Sequence, residues 1–152
     1  MNKKIEEIYL NQINFLIKLK MSVSAINNQL HDNLALFAVE KLQTQFSDLT
    51  IKYVNAGTSG YDIKGFNNKN EIELICEVKT TLPNSKNKLE GQQKKAIEKD
   101  LERLEQAPNI KHKFLVLLSS STKEAIEKQV KLNDFPNVQL INALQEEFYE
   151  ND

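Results

Sequence analysis

Two residues of opposite charge, Glu77 and Lys79, lie in a segment that is otherwise strongly apolar, from Glu71 to Thr81. The segment has the composition of a β-strand, and side chains two residues apart on a strand point to the same face. Glu77 and Lys79 would therefore lie side by side. Because burying two charges without partners costs several kcal/mol, we expect them to face a polar pocket or each other.

A second carboxylate, Asp62, follows Gly60 and Tyr61, with fourteen residues between Asp62 and Glu77. The polar stretch 67–70 predicts a hairpin loop, which would bring the start of one strand beside the end of the next. Two converging carboxylates repel each other unless a cation lies between them, and oxygen ligands suit Mg²⁺ or Mn²⁺. With a lysine beside them to counter phosphate charge or hold a water molecule, these residues predict a site that hydrolyses phosphodiester bonds.

The motif Gly60-Tyr61-Asp62, followed after fourteen residues by Glu77-Val78-Lys79, resembles the signature of the PD-(D/E)xK, or restriction-endonuclease-like, nuclease superfamily. Tyr61 stands where the name of the motif has proline. The helices that are predicted before and after the motif also match the α-β-β-β-α-β core of that superfamily, over roughly residues 24–119.

In that superfamily the aspartate and the glutamate bind metal, and the lysine assists the nucleophilic water. The resemblance therefore implies that Asp62 and Glu77 hold Mg²⁺, with Mn²⁺ as an alternative, and that Lys79 acts on the water. The backbone carbonyl between the glutamate and the lysine often binds the metal as well, which here is the carbonyl of Val78.

Two neighbouring helices also contribute side chains in many members of the superfamily. A glutamate on the preceding helix often binds metal, and Glu40, three residues after Phe37, is the matching residue. A glutamine or lysine on the following helix often completes the site. Gln93 lies one turn before Ile97, so helical phase predicts that Gln93, rather than Gln92, points at the sheet.

The hydrophobic pattern predicts the order α-α-β-β-β-α-β-α-β-α. Helices are predicted at 4–19, from a cap at Ser24 to about 42, at 89–105, from a cap at Ser121 or Thr122 to about 132, and at 142–149. Strands are predicted at 49–54, 61–66, 71–81, 113–119 and 138–141. The fold class is therefore α/β, with a restriction-endonuclease-like core in which a mixed central sheet of about four to five strands lies between helices.

The chain is expected to form a single domain over 1–152, because 152 residues suffice for one core. The helix within 1–20 would lie outside the nuclease core at 24–119, and 120–152 would extend the sheet and helices. The single cysteine, Cys76, excludes an intramolecular disulfide and is expected to be a buried small hydrophobe. Without a long uncharged apolar run, no membrane span is expected and a cytoplasmic location fits best.

The charge balance limits how the chain could hold nucleic acid. Twenty basic and 21 acidic side chains leave a net charge of −1, so any contact with phosphate must come from local clusters or from a partner. One such cluster follows the Glu-x-Lys strand and comprises Lys86, Lys88, Lys94 and Lys95. These lysines could contact phosphate, or they could form a solvated helix face whose charges pair with Glu90, Glu98 and Asp100.

His31 and His112 lie far apart in sequence without ligand-spaced partners, which favours surface histidines. The sequence as a whole predicts a Mg²⁺-dependent endonuclease acting on DNA. The small size predicts a homodimer or a subunit that works with a separate DNA-recognition protein. The alternative is a non-catalytic nucleic-acid-binding or scaffold module that retains the fold, which the neutral net charge favours.

Overall fold

The computed structural model describes residues 3–54 and 60–144, with side chains described over 14–54 and 60–143. Residues 1–30 and residues 31–152 form two compact units. The helices are α1 (Lys3–Gln45), α2 (Gly91–Gln106) and α3 (Ser120–Gln129), with a 3₁₀ turn at Leu132–Asp134. The strands are β1 (Thr50–Tyr53), β2 (Ile63–Phe66), β3 (Ile72–Lys79), β4 (His112–Ser119) and β5 (Val138–Leu144).

Within the described residues, five strands form one sheet in the order β1-β2-β3-β4-β5. The first three strands pair antiparallel, and β4 and β5 run parallel to β3. Antiparallel strands can be joined by a short hairpin, whereas the parallel step from β3 to β4 requires a crossover, which α2 supplies. The predicted fold class, an α/β protein with a mixed sheet flanked by helices, is confirmed.

The hairpin between β2 and β3 is held by Asn67, whose Oδ1 accepts the backbone N–H groups of Lys69 and Glu71 at 2.9 and 3.0 Å. Asn70 adopts a φ of 61°, which asparagine tolerates better than most residues. This turn sets the register in which Ile63 faces Cys76. The same register places Asp62, which precedes β2, beside the end of β3.

Apolar side chains cover both faces of the sheet. One face packs against α2 and α3 through a cluster that includes Ile75, Ile97, Leu101, Leu104, Leu115, Leu117 and Ile126. On the other face, the ring of Phe114 lies 5.8 Å from that of Phe46, which follows α1. β4 is therefore buried on both faces, as its continuous apolar run predicts.

The N-terminal helices are a single helix, and the prediction of two is wrong. α1 runs from Lys3 to Gln45, so Ser24 lies inside a helix and does not cap one. Neither glycine nor proline occurs between Leu19 and Ser24, and the Ser22 hydroxyl donates to the carbonyl of Lys18 at 3.0 Å. Ser22, two residues before the predicted cap, thus bonds back to the fourth preceding carbonyl, as serines within helices do. The cap signal at Ser24 was therefore misleading.

Two further element boundaries differ from the prediction. α3 is capped by Ser119, whose Oγ accepts the N–H of Thr122 at 3.3 Å, and not by Ser121 or Thr122. Residues 142–144, predicted to begin a helix, continue β5 because they pair with the buried strand β4. Residues 145–149 of that predicted helix lie outside the described residues. No helix within 3–54 and 60–144 is long and apolar enough to cross a membrane.

Candidate active site

Asp62 is held at the point where β2 and β3 stop pairing. Its backbone carbonyl accepts the N–H of Val54 at 2.7 Å, which ties the start of β2 to the end of β1. Its side-chain Oδ2 accepts the N–H of Val78 at 2.8 Å. The last residue pair of the two strands is Ile63 with Cys76, so the carboxylate of Asp62 accepts the N–H that a further residue of β2 would otherwise accept.

Glu77 is almost completely buried, with 4% of its surface exposed, on the face of β3 that α2 covers. Its Oε1 contacts the guanidinium of Arg103, and its carboxyl group is within hydrogen-bonding reach of Asp62. Burial and, next, the charge of Asp62 raise the pKa of Glu77 to about 8, although Arg103 opposes this shift. Asp100 raises the pKa further. Without a cation, Glu77 therefore holds a proton through the neutral pH range.

Lys79 lies two residues after Glu77 and forms an ion pair with Asp100 of α2. The side chain of Asp100 is 12% exposed and that of Lys79 is 26% exposed, so the pair is largely shielded from water. Asp100 Oδ1 also lies 3.6 Å from Nη2 of Arg103. Asp100 and Arg103 thus join Glu77 and Lys79 in one network of alternating charges.

Arg103 forms the outer rim of this network. Its guanidinium lies 5.3 Å from the centre of the Tyr61 ring, and the Tyr61 hydroxyl donates to the Arg103 carbonyl at 3.3 Å. The side chain of Arg103 is 43% exposed. The aromatic residue that replaces the proline of the motif therefore supports a cation that reaches the buried Glu77.

His31 reaches the group from α1. Its Nε2 lies 3.6 Å from Oδ2 of Asp62, and its side chain is 23% exposed. His31 is therefore half-buried rather than fully exposed, because the end of α1 packs beside the turn that carries Asp62. No spacing rule connects a residue on a helix with one 31 positions later, so the sequence offered no signal for this contact.

Asp100 and Arg103 also escaped the sequence prediction as site residues, although Asp100 left a detectable signal. Asp100 falls between Ile97 and Leu101 on the buried face of α2. A carboxylate on an otherwise apolar helix face indicates a buried partner of opposite charge. Arg103 carries no comparable signal, since one exposed arginine on a helix is common.

The structure does not bring Glu40 to this group. Glu40 is exposed and lies nine residues after His31 on α1. That spacing corresponds to about 14 Å along the helix and roughly half a turn around it. The residue of α1 that approaches Asp62 is therefore His31.

Gln93 is half-buried and Gln92 is exposed. The Gln93 side chain completes a capping box, in which its Oε1 accepts the N–H of Glu90 at 3.0 Å. Its Nε2 lies 3.5 Å from the carbonyl of Leu82. Gln93 precedes Asp100 by seven residues, or about 10 Å along α2, so Asp100 is the α2 residue that meets Lys79.

The predicted phosphate-binding lysines surround the loop before α2. Lys86, Lys88 and Lys95 are exposed, whereas Nζ of Lys94 lies 3.5 Å from Oε1 of Glu98. Asn84 orders the loop, because its Oδ1 accepts the N–H groups of Lys86 and Lys88 at 3.0 and 3.1 Å. Three cationic side chains are thus available to solvent, and one takes part in a helix-face ion pair.

The oxygen atoms at the end of β3 fit a hard divalent cation. Asp62 and Glu77 converge there, and the pKa of Glu77 is high because Glu77 is buried and, next, because the charge of Asp62 lies close to it. Val78 donates its N–H to Asp62, and in an extended strand the carbonyl of the same residue points to the same edge. Among the described residues, no group of three or more His, Cys, Asp or Glu side chains could hold a metal ion. The protein would thus offer two carboxylates and one carbonyl, a set compatible with Mg²⁺, which usually keeps several water ligands.

Comparison with known proteins gives one weak structural neighbour. The sequence matches no protein-family model, and no curated protein shows significant similarity to it. Among solved structures, the chain is similar to the crystal structure of the YaeQ protein from Xanthomonas axonopodis pv. citri, with 10% sequence identity and a TM-score of 0.43. The likeness covers 72% of this chain and 54% of the YaeQ chain, so this protein spans about half the length of that neighbour.

Proposed function

We propose that this protein is a metal-dependent nuclease of the PD-(D/E)xK type that hydrolyses phosphodiester bonds in DNA. The observation that supports it best is the meeting of Asp62 and Glu77 where β2 leaves β3. The two carboxyl groups are within hydrogen-bonding reach, although burial and the charge of Asp62 disfavour the ionised form of Glu77. An arrangement of this kind costs stability in the absence of a cation, which favours a role in binding one.

In this proposal, Asp62, Glu77 and the carbonyl of Val78 hold Mg²⁺ or Mn²⁺. When bound there, the cation would polarise the scissile phosphate and lower the pKa of a coordinated water. Asp62 is oriented for this task by the Val78 N–H, and Glu77 by its rigid place inside β3.

Lys79 positions the attacking water and counters the charge that builds up on the phosphate. Asp100 acts as its positioning residue, since the ion pair between them restricts the flexible lysine side chain. This restriction matters because the reacting atoms must be held within a few tenths of an ångström for efficient attack.

Phosphate contact outside the reaction centre is proposed for the exposed lysines of the loop and first turn of α2, namely Lys86, Lys88 and Lys95, with Lys94 beside them. Since the net charge of the chain is −1, these few contacts supply limited affinity. We therefore propose that the protein acts as a homodimer or with a separate DNA-recognition subunit. We also propose that it works in the cytoplasm.

The test is nucleic-acid cleavage by the purified protein. Plasmid, linear duplex, single-stranded DNA and RNA are each incubated with Mg²⁺, with Mn²⁺ and with a chelator. We expect metal-dependent cleavage of DNA. Lys79→Ala should reduce turnover by about 100-fold or more, since one well-placed charge contributes about 3 kcal/mol to the transition state.

Lys128→Ala serves as the matched control, because Lys128 is exposed on α3 and pairs with Glu124 of the same helix. It should cleave at the wild-type rate. A wild type that cleaves no nucleic acid under any metal condition contradicts the proposal. Equal rates for Lys79→Ala and the wild type would point to a contaminating nuclease.

One observation favours the second candidate, a non-catalytic nucleic-acid-binding or scaffold module. Glu77 contacts Arg103 and Lys79 pairs with Asp100, so the charges of the network already have partners within the chain. A network of ion pairs that only stabilises the fold would show the same contacts as a catalytic site. Titration calorimetry separates the candidates, because a scaffold binds nucleic acid without binding Mg²⁺ or Mn²⁺ at Asp62 and Glu77.

A further inference from the structure

Arg103 shares its contacts among three partners at the rim of the site. Its guanidinium touches Oε1 of Glu77, lies 3.6 Å from Oδ1 of Asp100 and lies against the ring of Tyr61. The contacts with Tyr61 and Asp100 do not involve Glu77, so the guanidinium could leave Glu77 and still be supported by both residues.

The position of Arg103 conflicts with a divalent cation at the same carboxylate. A cation between Asp62 and Glu77 would bring a second positive charge within a few ångströms of the guanidinium. The carboxyl group that both would contact belongs to Glu77, which is 4% exposed, so water screens the repulsion there less than it would at the surface. Arg103 and the cation therefore compete for Glu77.

The exposure of Arg103 shows where it can go. A side chain that is 43% exposed is not locked in the core, and part of it is open to solvent. A guanidinium presents paired N–H donors that match a phosphate better than any other side chain does.

We propose that Arg103 is a displaceable internal counter-ion. In the metal-free protein Arg103 contacts the Glu77 carboxyl group and neutralises it whenever that group ionises. It then yields the carboxylate to the divalent cation and binds a phosphate of the nucleic-acid substrate. This inference rests on the proposed function, because it requires a cation at Asp62 and Glu77. It adds an order to the contacts of Arg103, which covers the Glu77 carboxyl group when metal is absent and binds a phosphate once metal is present. Metal binding is thereby coupled to substrate binding.

The first test measures the affinity for Mg²⁺ by titration calorimetry in wild type and Arg103→Gln, without substrate. The titration is done at about pH 9, because the pKa of Glu77 is about 8 and its proton would otherwise compete with the metal. Removing the competing guanidinium should tighten Mg²⁺ binding by about tenfold. Arg103→Lys keeps the charge and should remain close to wild type.

Lys99→Gln is the matched control for a general charge effect. Lys99 is exposed on the same helix, one turn before Arg103, and its loss changes the net charge equally. Its Mg²⁺ affinity should stay within about twofold of wild type, because exposed charges at a distance are screened.

The second test measures binding of a short DNA duplex at saturating Mn²⁺ in a Lys79→Ala background, which suppresses cleavage. Adding Arg103→Gln to that background should weaken DNA binding by about tenfold, the reverse of its effect on the metal. A purely structural role for Arg103 predicts no such opposite changes, since a damaged site would lose affinity for both ligands.

The outcomes separate the inference from the function that supports it. If neither wild type nor Arg103→Gln binds Mg²⁺ or Mn²⁺, the proposed metal site fails and the inference fails with it. If wild type binds Mg²⁺ but Arg103→Gln binds it no more tightly, the metal site stands and the counter-ion role is wrong. Tighter metal binding together with unchanged DNA binding would reject the phosphate contact and keep the competition.

Discussion

At the scale of single residues, the site is defined by how charges are neutralised. Glu77 is buried beside another carboxylate, and the cation that contacts it, Arg103, comes from α2. The chain thus holds a carboxylic acid in a place where its ionised form is disfavoured. Sites that bind cations or move protons share this property, because the bound cation or proton supplies the positive charge that the surrounding side chains do not provide.

The raised pKa of Glu77 predicts how stability depends on pH in the metal-free protein. Below 4.5, the ordinary pKa of a glutamate side chain, the group is protonated in both the folded and the unfolded chain. Between 4.5 and about 8 only the folded chain holds the proton, so the free energy of unfolding falls as pH rises. The contribution of this group changes by about 1.4 kcal/mol per pH unit in that window.

Urea unfolding of wild type and Glu77→Gln in a chelating buffer measures this effect. The stability difference between the two proteins should shift in favour of Glu77→Gln as pH rises from 5 to 8, because a glutamine cannot ionise. Parallel curves over that window would show that Glu77 is already ionised in the fold, with Arg103 as its sufficient counter-ion.

Asp100 provides a second prediction at this scale. Asp100→Asn keeps the size of the side chain but removes the charge that holds Lys79. Turnover should fall by about 10- to 100-fold, because Lys79 loses its fixed position. The Mg²⁺ affinity should remain near that of wild type, since Asp62 and Glu77 are unchanged.

Glu102→Gln is the control for this variant, as Glu102 is exposed on the same helix. It should match wild type in both turnover and metal affinity. Loss of metal binding in Asp100→Asn would instead assign Asp100 to the metal site itself.

At the scale of elements, the hairpin β2–β3 and helix α2 position the site. The hairpin brings Asp62 to β3, and α2 contributes Asp100 and Arg103 from the face that packs on the sheet. The hairpin depends on a close approach at Gly65, where an added Cβ would lie 2.7 Å from Cδ1 of Ile51 and 2.8 Å from Cβ of Leu74. The strands around Asp62 therefore tolerate no side chain at this position.

Gly65→Ala should destabilise the protein by about 1–3 kcal/mol, because the strands must separate to admit the methyl group. Gly91→Ala is the matched control, since nothing lies within 4 Å of an added Cβ at the start of α2. It should be neutral or stabilising by up to about 1 kcal/mol. Thermal melts of both variants measure the difference, and equal melting temperatures would contradict the close packing at Gly65.

At the scale of the whole molecule, charge limits how the proposed nucleic-acid substrate could be held. The net charge is −1, and the proposed phosphate-binding lysines number four. If these four and Arg103 make the phosphate contacts, the logarithm of the DNA-binding constant should fall with the logarithm of salt concentration with a slope no steeper than about −4.5 for one copy of the chain. A much steeper slope would mean that further cationic residues, such as those of a second copy, take part.

The contribution of one lysine to this slope can be measured separately. Lys88→Gln removes an exposed lysine of the ordered loop and should reduce the slope by about 1. Lys128→Gln on α3 should leave it unchanged. An unchanged slope in Lys88→Gln would remove that residue from the DNA-binding surface.

The sequence by itself determined the features that depend on local pattern. Alternation along residues 71–81 places Glu77 and Lys79 on one face of β3, and the polar stretch 67–70 predicts the hairpin that precedes it. The order of the elements predicts the mixed α/β sheet, and the apolar face of β3 predicts the burial of Cys76. Each of these features follows from residues that are neighbours along the chain, where strand and turn geometry are nearly fixed.

Only the tertiary structure decided which side chains meet Asp62, Glu77 and Lys79. His31, Asp100 and Arg103 come from helices whose position depends on how apolar faces far apart in the sequence pack together. Helical phase shows which way a residue points, yet it does not give the height at which the helix crosses the sheet. That height is set by the packing of the whole core, which is why Asp100 rather than Gln93 reaches Lys79, and His31 rather than Glu40 reaches Asp62.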